Sequence, residues 1–232
     1  MLKHSLALAV STAVMAFLSN GAVAAPIITD WSSSYVWGTN GSASGTLGGI
    51  SVSFSGDVRD IQQNHDTVYD NDFFLGQTPF TPSLDVSDAV GTWGTPGDTN
   101  TITFSSAVLN PIMWFFSLGR GGDWDPALFV QSFTFNAPFT LMSSYYDPFA
   151  GAIPYQLTQS GNTLIGQEGF GSIQFAGSFT SLSWTSDRFE QSSYFQVGYD
   201  NSIIPAGVPE PATLLLLGAG LVGLGWRRRA RA

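Results

Sequence analysis

Cysteine is absent, so disulfide frameworks, thiolate zinc sites and cysteine nucleophiles are excluded. Histidine is scarce, with two residues, and His4 lies in a segment that export would remove. Charge is scarce too. Charged side chains make up 11% of the 232 residues, less than half the roughly 25% of an average soluble protein. Hydrophobic residues reach 44%, which excludes disorder driven by high charge and low hydrophobicity. Three glutamates stand against 26 glycines, and aromatics reach 14%. That balance disfavours a helical bundle and suits strands joined by Gly-rich turns. The length fits one folded domain with extensions.

Positive charge is missing from the middle of the chain. All 17 acids lie between Asp30 and Glu210, where the only basic residues are Arg59, Arg120 and Arg188. This stretch carries a net −14 and no lysine. Nucleic-acid phosphates and anionic membrane surfaces would repel it, so nucleic acid is set aside as a partner.

The two ends carry export features. Residues 1–24 read as a signal peptide with an N-terminal signal helix. Lys3 and His4 open it, residues 6–18 are mainly apolar, and Ala22-Val23-Ala24 is a small-x-small cleavage site. A run of thirteen residues is short of the roughly 20 needed to span a bilayer, which disfavours an uncleaved anchor. At the other end, Val208-Pro209-Glu210-Pro211 precedes an apolar span at 212–226 and a basic tail at 227–232. Fifteen helical residues cover about 22 Å, short of a core of about 30 Å, and bilayer thinning with snorkelling arginines makes up the difference. This span is expected to be a transmembrane helix. The arginines hold their end in the cytoplasm, which puts the body outside. Both prolines lack an N–H and restrict their neighbours, so Pro209-Glu210-Pro211 is a stiff, extended peptide that a membrane protease could grip.

Triplet, apolar span and terminal arginines together resemble the PEP-CTERM sorting signal of exopolysaccharide-producing Gram-negative bacteria. The resemblance implies that exosortase, a membrane cysteine protease, recognises Pro209, Glu210 and Pro211 and removes the tail. It also implies transient insertion in the inner membrane, then release to the cell surface or extracellular matrix. A simple C-terminal anchor is the plainer alternative.

The body, residues 25–200, reads as an all-β ectodomain, with 201–208 as a tether. Strict alternation at 50–55 and 101–104 marks half-buried strands. Residues 112–118 form a continuous apolar run, expected of a central strand. Further strands are expected around 129–135, 139–143 and 193–197. Gln159-Ser160-Gly161-Asn162 reads as a hairpin turn between strands at 155–158 and 163–165. Residues 172–175 and 179–184, joined by Ala176-Gly177, read as a second hairpin. About ten strands predict a β-sandwich of jelly-roll type. Residues 57–100 read as long loops with one strand at most. Asn110-Pro111-Ile112, Ser117-Leu118-Gly119, the segment from Glu168 to Phe175 and Ser181-Leu182-Ser183-Trp184-Thr185 resemble parts of other PEP-CTERM ectodomains of unassigned activity. The resemblance covers about half the body and implies no catalysis.

Catalytic motifs are weak. His65 sits in a polar Asn64-His65-Asp66 loop, and Gly41-Ser42-Ala43-Ser44-Gly45 lacks the spacing of a nucleophile elbow. Glu168 and Glu190 are the candidate acids for glycoside hydrolysis, which needs two carboxylates. Nothing in the sequence pairs them. The expected catalytic set is therefore none. Asp57, Asp60, Asp66, Asp70 and Asp72 allow two readings, a solvated acidic surface or a calcium site, since calcium takes six to eight oxygens. Asp123 and Asp125, around Trp124, raise the same choice. Trp124, Tyr145 and Tyr146 read as loop aromatics suited to stacking on sugars. The expectation is a secreted, non-enzymatic protein of the surface or matrix, without a cofactor unless calcium binds. Its alternatives are a calcium-assisted carbohydrate-binding module and a polysaccharide-acting hydrolase.

Overall fold

A computed structural model describes residues 25–62, 80–82, 84, 88–119, 130–145, 156–190 and 193–200. The signal peptide, the tether and the sorting signal lie outside them. The described residues form strands and no helix. The first three strands are β1 (Ile27–Val36), β2 (Gly38–Leu47) and β3 (Ile50–Val58), followed by the short β4 (Asp60–Gln62) and β5 (Ala89–Thr92). Next come β6 (Thr99–Leu109), β7 (Pro111–Leu118), β8 (Gln131–Phe135) and β9 (Phe139–Tyr145). The last are β10 (Thr158–Ser160), β11 (Thr163–Gly166), β12 (Gly169–Phe175), β13 (Ser178–Ser186) and β14 (Ser193–Tyr199).

The all-β class expected from composition and alternation is observed. The two separate sheets of a jelly roll are not: one continuous path runs β10-β11-β8-β13-β6-β3-β2-β1-β14-β7-β12-β9, with β5 on β14 and β4 on β5. β1 joins the two halves. Ile27 and Ile28 pair with β14, while the strand from Thr29 onward pairs with β2. The path's two ends approach each other through a side chain. The Gln159 amide of β10 donates to the Phe139 carbonyl at 2.7 Å and accepts from the Leu141 N–H of β9 at 3.2 Å. The result is a nearly closed barrel, in which few backbone groups remain at an open edge.

The expected 172–184 hairpin is corrected. β12 pairs with β7 and β9, whereas β13 pairs with β6 and β8. Ala176-Gly177 therefore carries the chain from one half of the barrel to the other. Asn110 does the same between β6 and β7, and the two crossings brace each other. The Asn110 N–H donates to the Gly177 carbonyl, and the Gly177 N–H donates to Asn110 Oδ1, both at 2.7 Å. Asn110 has φ +48°, a conformation that Asn tolerates better than most residues because its short side chain bonds locally. The hairpin at Gly161-Asn162 does form, between β10 and β11.

Inward residues alternate with outward ones, as the pleat requires. Ala43, Phe54, Ile102 and Leu182 occupy one row across β2, β3, β6 and β13, and all are buried. Trp184 lies at the centre of the core. Its ring stacks on Phe54 at 5.7 Å and meets Phe195 edge-on at 5.2 Å. β7 is buried along its whole length because both faces are covered. Met113 and Phe115 face the main core, while Ile112, Trp114 and Phe116 join a second cluster with Phe80, Leu84 and Ala89. A segment within the expected loop region thus forms a lid over the outer face of this half. Phe80 meets Phe116 edge-on at 5.0 Å, and Trp114 Nε1 donates to the Pro82 carbonyl at 3.1 Å. The same region also contributes two strands, β4 and β5, rather than one.

Candidate functional site

The sorting triplet Pro209-Glu210-Pro211 lies outside the described residues. So do His65, Asp66, Asp70, Asp72, Asp123, Trp124, Asp125 and Tyr146. Asp57, Asp60, Tyr145, Glu168 and Glu190 are described, and each has a definite place.

Asp57 is fully buried at the end of β3. Gly56, with φ +146°, leaves no room for a side chain, since an added Cβ would lie 2.3 Å from Asn100 Oδ1. Asp57 and Val58 are both buried here although they are adjacent in the strand. The Asp57 N–H donates to Asn100 Oδ1 at 2.8 Å, and Asp57 Oδ2 accepts from the Thr95 N–H at 2.7 Å. Thr95 opens a turn through Pro96 and Gly97 to Asp98, closed by the Asp98 N–H donating to the Thr95 carbonyl at 3.3 Å. Pro in second place and Gly in third, the latter at φ +82°, is the chemistry of a type II turn. Asp57 therefore fastens that turn to the sheet. Its Oδ1, together with Asp98 Oδ2, Asn100 Nδ2 and Ser186 Oγ, is buried without a protein partner. Asp60 faces a different environment, beside Arg59 at 3.6 Å and Gln62 Nε2 at 3.4 Å. No three His, Cys, Asp or Glu among the described residues converge on one point.

Glu168 and Glu190, which nothing in the sequence pairs, both bond to one corner of the structure, Ser117–Gly119. The Ser117 hydroxyl donates to Glu168 Oε1, and the Gly119 N–H donates to Glu190 Oε2 at 2.9 Å. Glu168 also donates its N–H to the Gly119 carbonyl at 2.9 Å. Glu190, 5% exposed, donates its N–H to the Trp93 carbonyl at 2.7 Å. Ser117, Gly119 and Glu168 all have positive φ, so the corner is tightly folded. Both carboxylates hold the end of β7 against its neighbours. Tyr145 is not in a loop as expected. It ends β9 opposite Phe170 and packs against the second apolar cluster.

The least anticipated feature is the outer face of the other half. Ser44, Ser53, Thr103 and Ser181 form one row across β2, β3, β6 and β13. Ser42, Ser55, Thr101 and Ser183 form the next. Thr99, Thr185, Thr134 and Thr163 continue the pattern onto β8 and β11, with 3.0 Å between the last two hydroxyls. In contrast to the lidded half, these rows are open or only half-covered. The strands of this half contain two charged residues, the buried Asp57 and the exposed Asp30. A groove of about 690 Å³ crosses the face between Asp30, Ser32, Ser44, Ser53 and Thr103. A second, of about 440 Å³, shares Ser44 and Ser53 and is walled by Tyr35 and Val36. Trp37, 71% exposed, follows Val36 and meets Trp93 edge-on at 6.2 Å. The alternating serines of 50–55 signal such a face in the sequence. Which strands lie side by side does not show there.

Residues 207–229 match the PEP-CTERM protein-sorting motif. The chain thus carries a PEP-CTERM sorting signal, and the motif implies export through a membrane-anchored sorting signal and processing by exosortase. No curated protein and no solved structure matches the chain.

Proposed function

We propose that this chain is a non-enzymatic extracellular protein, trimmed by exosortase and working at the cell surface or within secreted polysaccharide. The sorting motif at 207–229 carries the reading. The roles of Glu168 and Glu190 support it, since each carboxylate braces the Ser117–Gly119 corner. The processing step is tested by replacing Pro209, Glu210 and Pro211 with alanines. Export should continue while the tail stays on, read as intact mass after signal-peptide removal. Normal trimming of the altered chain would sink the exosortase assignment. Fractionation of producing cells tests the destination: the trimmed protein should partition with surface and matrix material.

One observation favours a second reading, with calcium inside the fold. Asp57 Oδ1 and Asp98 Oδ2 are buried without a protein partner, and a buried carboxylate oxygen needs compensation. A cation at the Thr95–Asp98 turn would supply it. Asn100 Nδ2, also unpartnered and buried, weighs the other way, because a donor there favours bridging water.

A further inference from the structure

We propose that the Ser/Thr face crossed by the Tyr35 groove binds an uncharged polysaccharide chain. The inference deepens the extracellular reading and rests on it only for where such a polymer is met. The other outer face of this barrel is covered by the chain's own segment around Phe80 and Leu84. The β2–β3–β6–β13 face carries no comparable cover among the described residues, yet its outward positions follow one rule. Register places Ser44, Ser53 and Thr103 abreast, and hydroxyls fill the rows on either side of the buried Phe54 row. Neighbouring strands lie about 4.8 Å apart, and same-face residues along a strand about 6.8 Å apart. This makes a shallow lattice of groups that each donate and accept.

The chemistry of that lattice selects its occupant. An anion would need lysine, arginine or converging N–H groups, and the strands of this half hold no basic residue. The acidic body, −14 between Asp30 and Glu210, would repel a uronate polymer. An apolar partner would leave the hydroxyls desolvated and unpaired, at a cost. A neutral sugar polymer matches on every count. Its hydroxyls exchange hydrogen bonds with the serines and threonines, its length follows the groove, and its ring C–H faces suit an aromatic wall. Tyr35, 40% exposed, lines that wall, and the indole of Trp37 extends the exposed aromatic surface beyond it. Asp30 at the far end of the connected grooves offers an acceptor to a sugar hydroxyl. The site differs from the Trp124, Tyr145 and Tyr146 set expected from the sequence.

The test is affinity electrophoresis of the full chain in detergent, through gels containing dextran, xylan, galactomannan or alginate, with a cellulose pull-down alongside. At least one neutral polymer should retain the wild type, and alginate should not. Ser53→Lys with Thr103→Lys places two long side chains in the groove and should weaken retention at least tenfold. Tyr35→Ala, which leaves the floor intact, should weaken it as well. Thr158→Lys, on the exposed β10 away from the groove, should change nothing. Circular dichroism of each variant checks that it has folded. Retention by no neutral polymer, retention by alginate alone, or equal retention of the folded lysine variant would overturn the proposal. So would a dimer dispersed by those lysines, which would assign the face to a second copy of the chain. The gel assay is independent of cellular destination. Binding in the gel without matrix partitioning in cells would count against the proposed function alone, and matrix partitioning without binding against this site alone.

Discussion

Two buried tryptophans offer a controlled comparison. Trp31 and Trp184 are 0% and 1% exposed, and both contact Phe195 edge-on. They differ in what the indole N–H meets. Trp31 Nε1 donates to Gln196 Oε1 at 3.0 Å, whereas Trp184 Nε1 is buried without a protein partner. Replacing either by phenylalanine removes similar volume and leaves an aromatic ring, so the packing loss is shared. The hydrogen-bond changes have opposite signs. Trp31→Phe loses a bond worth about 1 kcal/mol net; Gln196 Oε1 keeps its bond from the Val197 N–H and is not stranded. Trp184→Phe removes an unsatisfied donor whose burial costs about 1–3 kcal/mol. Trp31→Phe should therefore be the more destabilising by about 2–4 kcal/mol. At roughly 2–4 °C per kcal/mol for a domain of this size, the midpoints separate by about 4–16 °C. Urea denaturation followed by far-UV circular dichroism, with equal m-values, measures the difference. If Trp184→Phe costs as much as Trp31→Phe or more, the reasoning fails, and an internal water satisfies the Trp184 N–H.

At the Asn110 crossing, Asn110→Ala loses the bond from the Gly177 N–H and puts a Cβ residue without a local acceptor at positive φ. A loss of about 1.5–3 kcal/mol is expected. Asn110→Asp keeps the acceptor and should cost clearly less in the same denaturation assay; equal losses would remove the side-chain bond from the account. Calcium separates the two readings of Asp57. Under the leading one, millimolar calcium leaves the melting temperature unchanged. Occupied at a hundredfold excess over Kd, a native-state calcium site stabilises by about 2.7 kcal/mol, a rise of roughly 5–10 °C. Such a rise, erased by chelator and by Asp57→Asn, would establish the second reading.

The sequence by itself determined the class of the fold and the chain's route. Alternation at 50–55 and 101–104 is local information, because a strand's two faces are written in successive residues. The largely apolar 112–118 run pointed to a central strand, and β7 has apolar clusters on both faces. The sorting signal was equally legible, since stiffness, apolar length and terminal charge follow one another along the chain. Pairing was not. Ala176-Gly177 looks like a hairpin turn, yet Asn110 bonds it into a crossing between the barrel's halves. Glu168 and Glu190 are linked only through the Ser117–Gly119 corner that both bond. β1 and β2 have no clear signature in the sequence, because serine and glycine carry little hydrophobic signal, and their strand character comes from pairing with β3 and β14. The hydroxyl face has the same origin. Each strand contributes one to three of these hydroxyls, and only hydrogen-bonded register turns them into a surface. Register is a long-range property, fixed by which rows of side chains must be buried together.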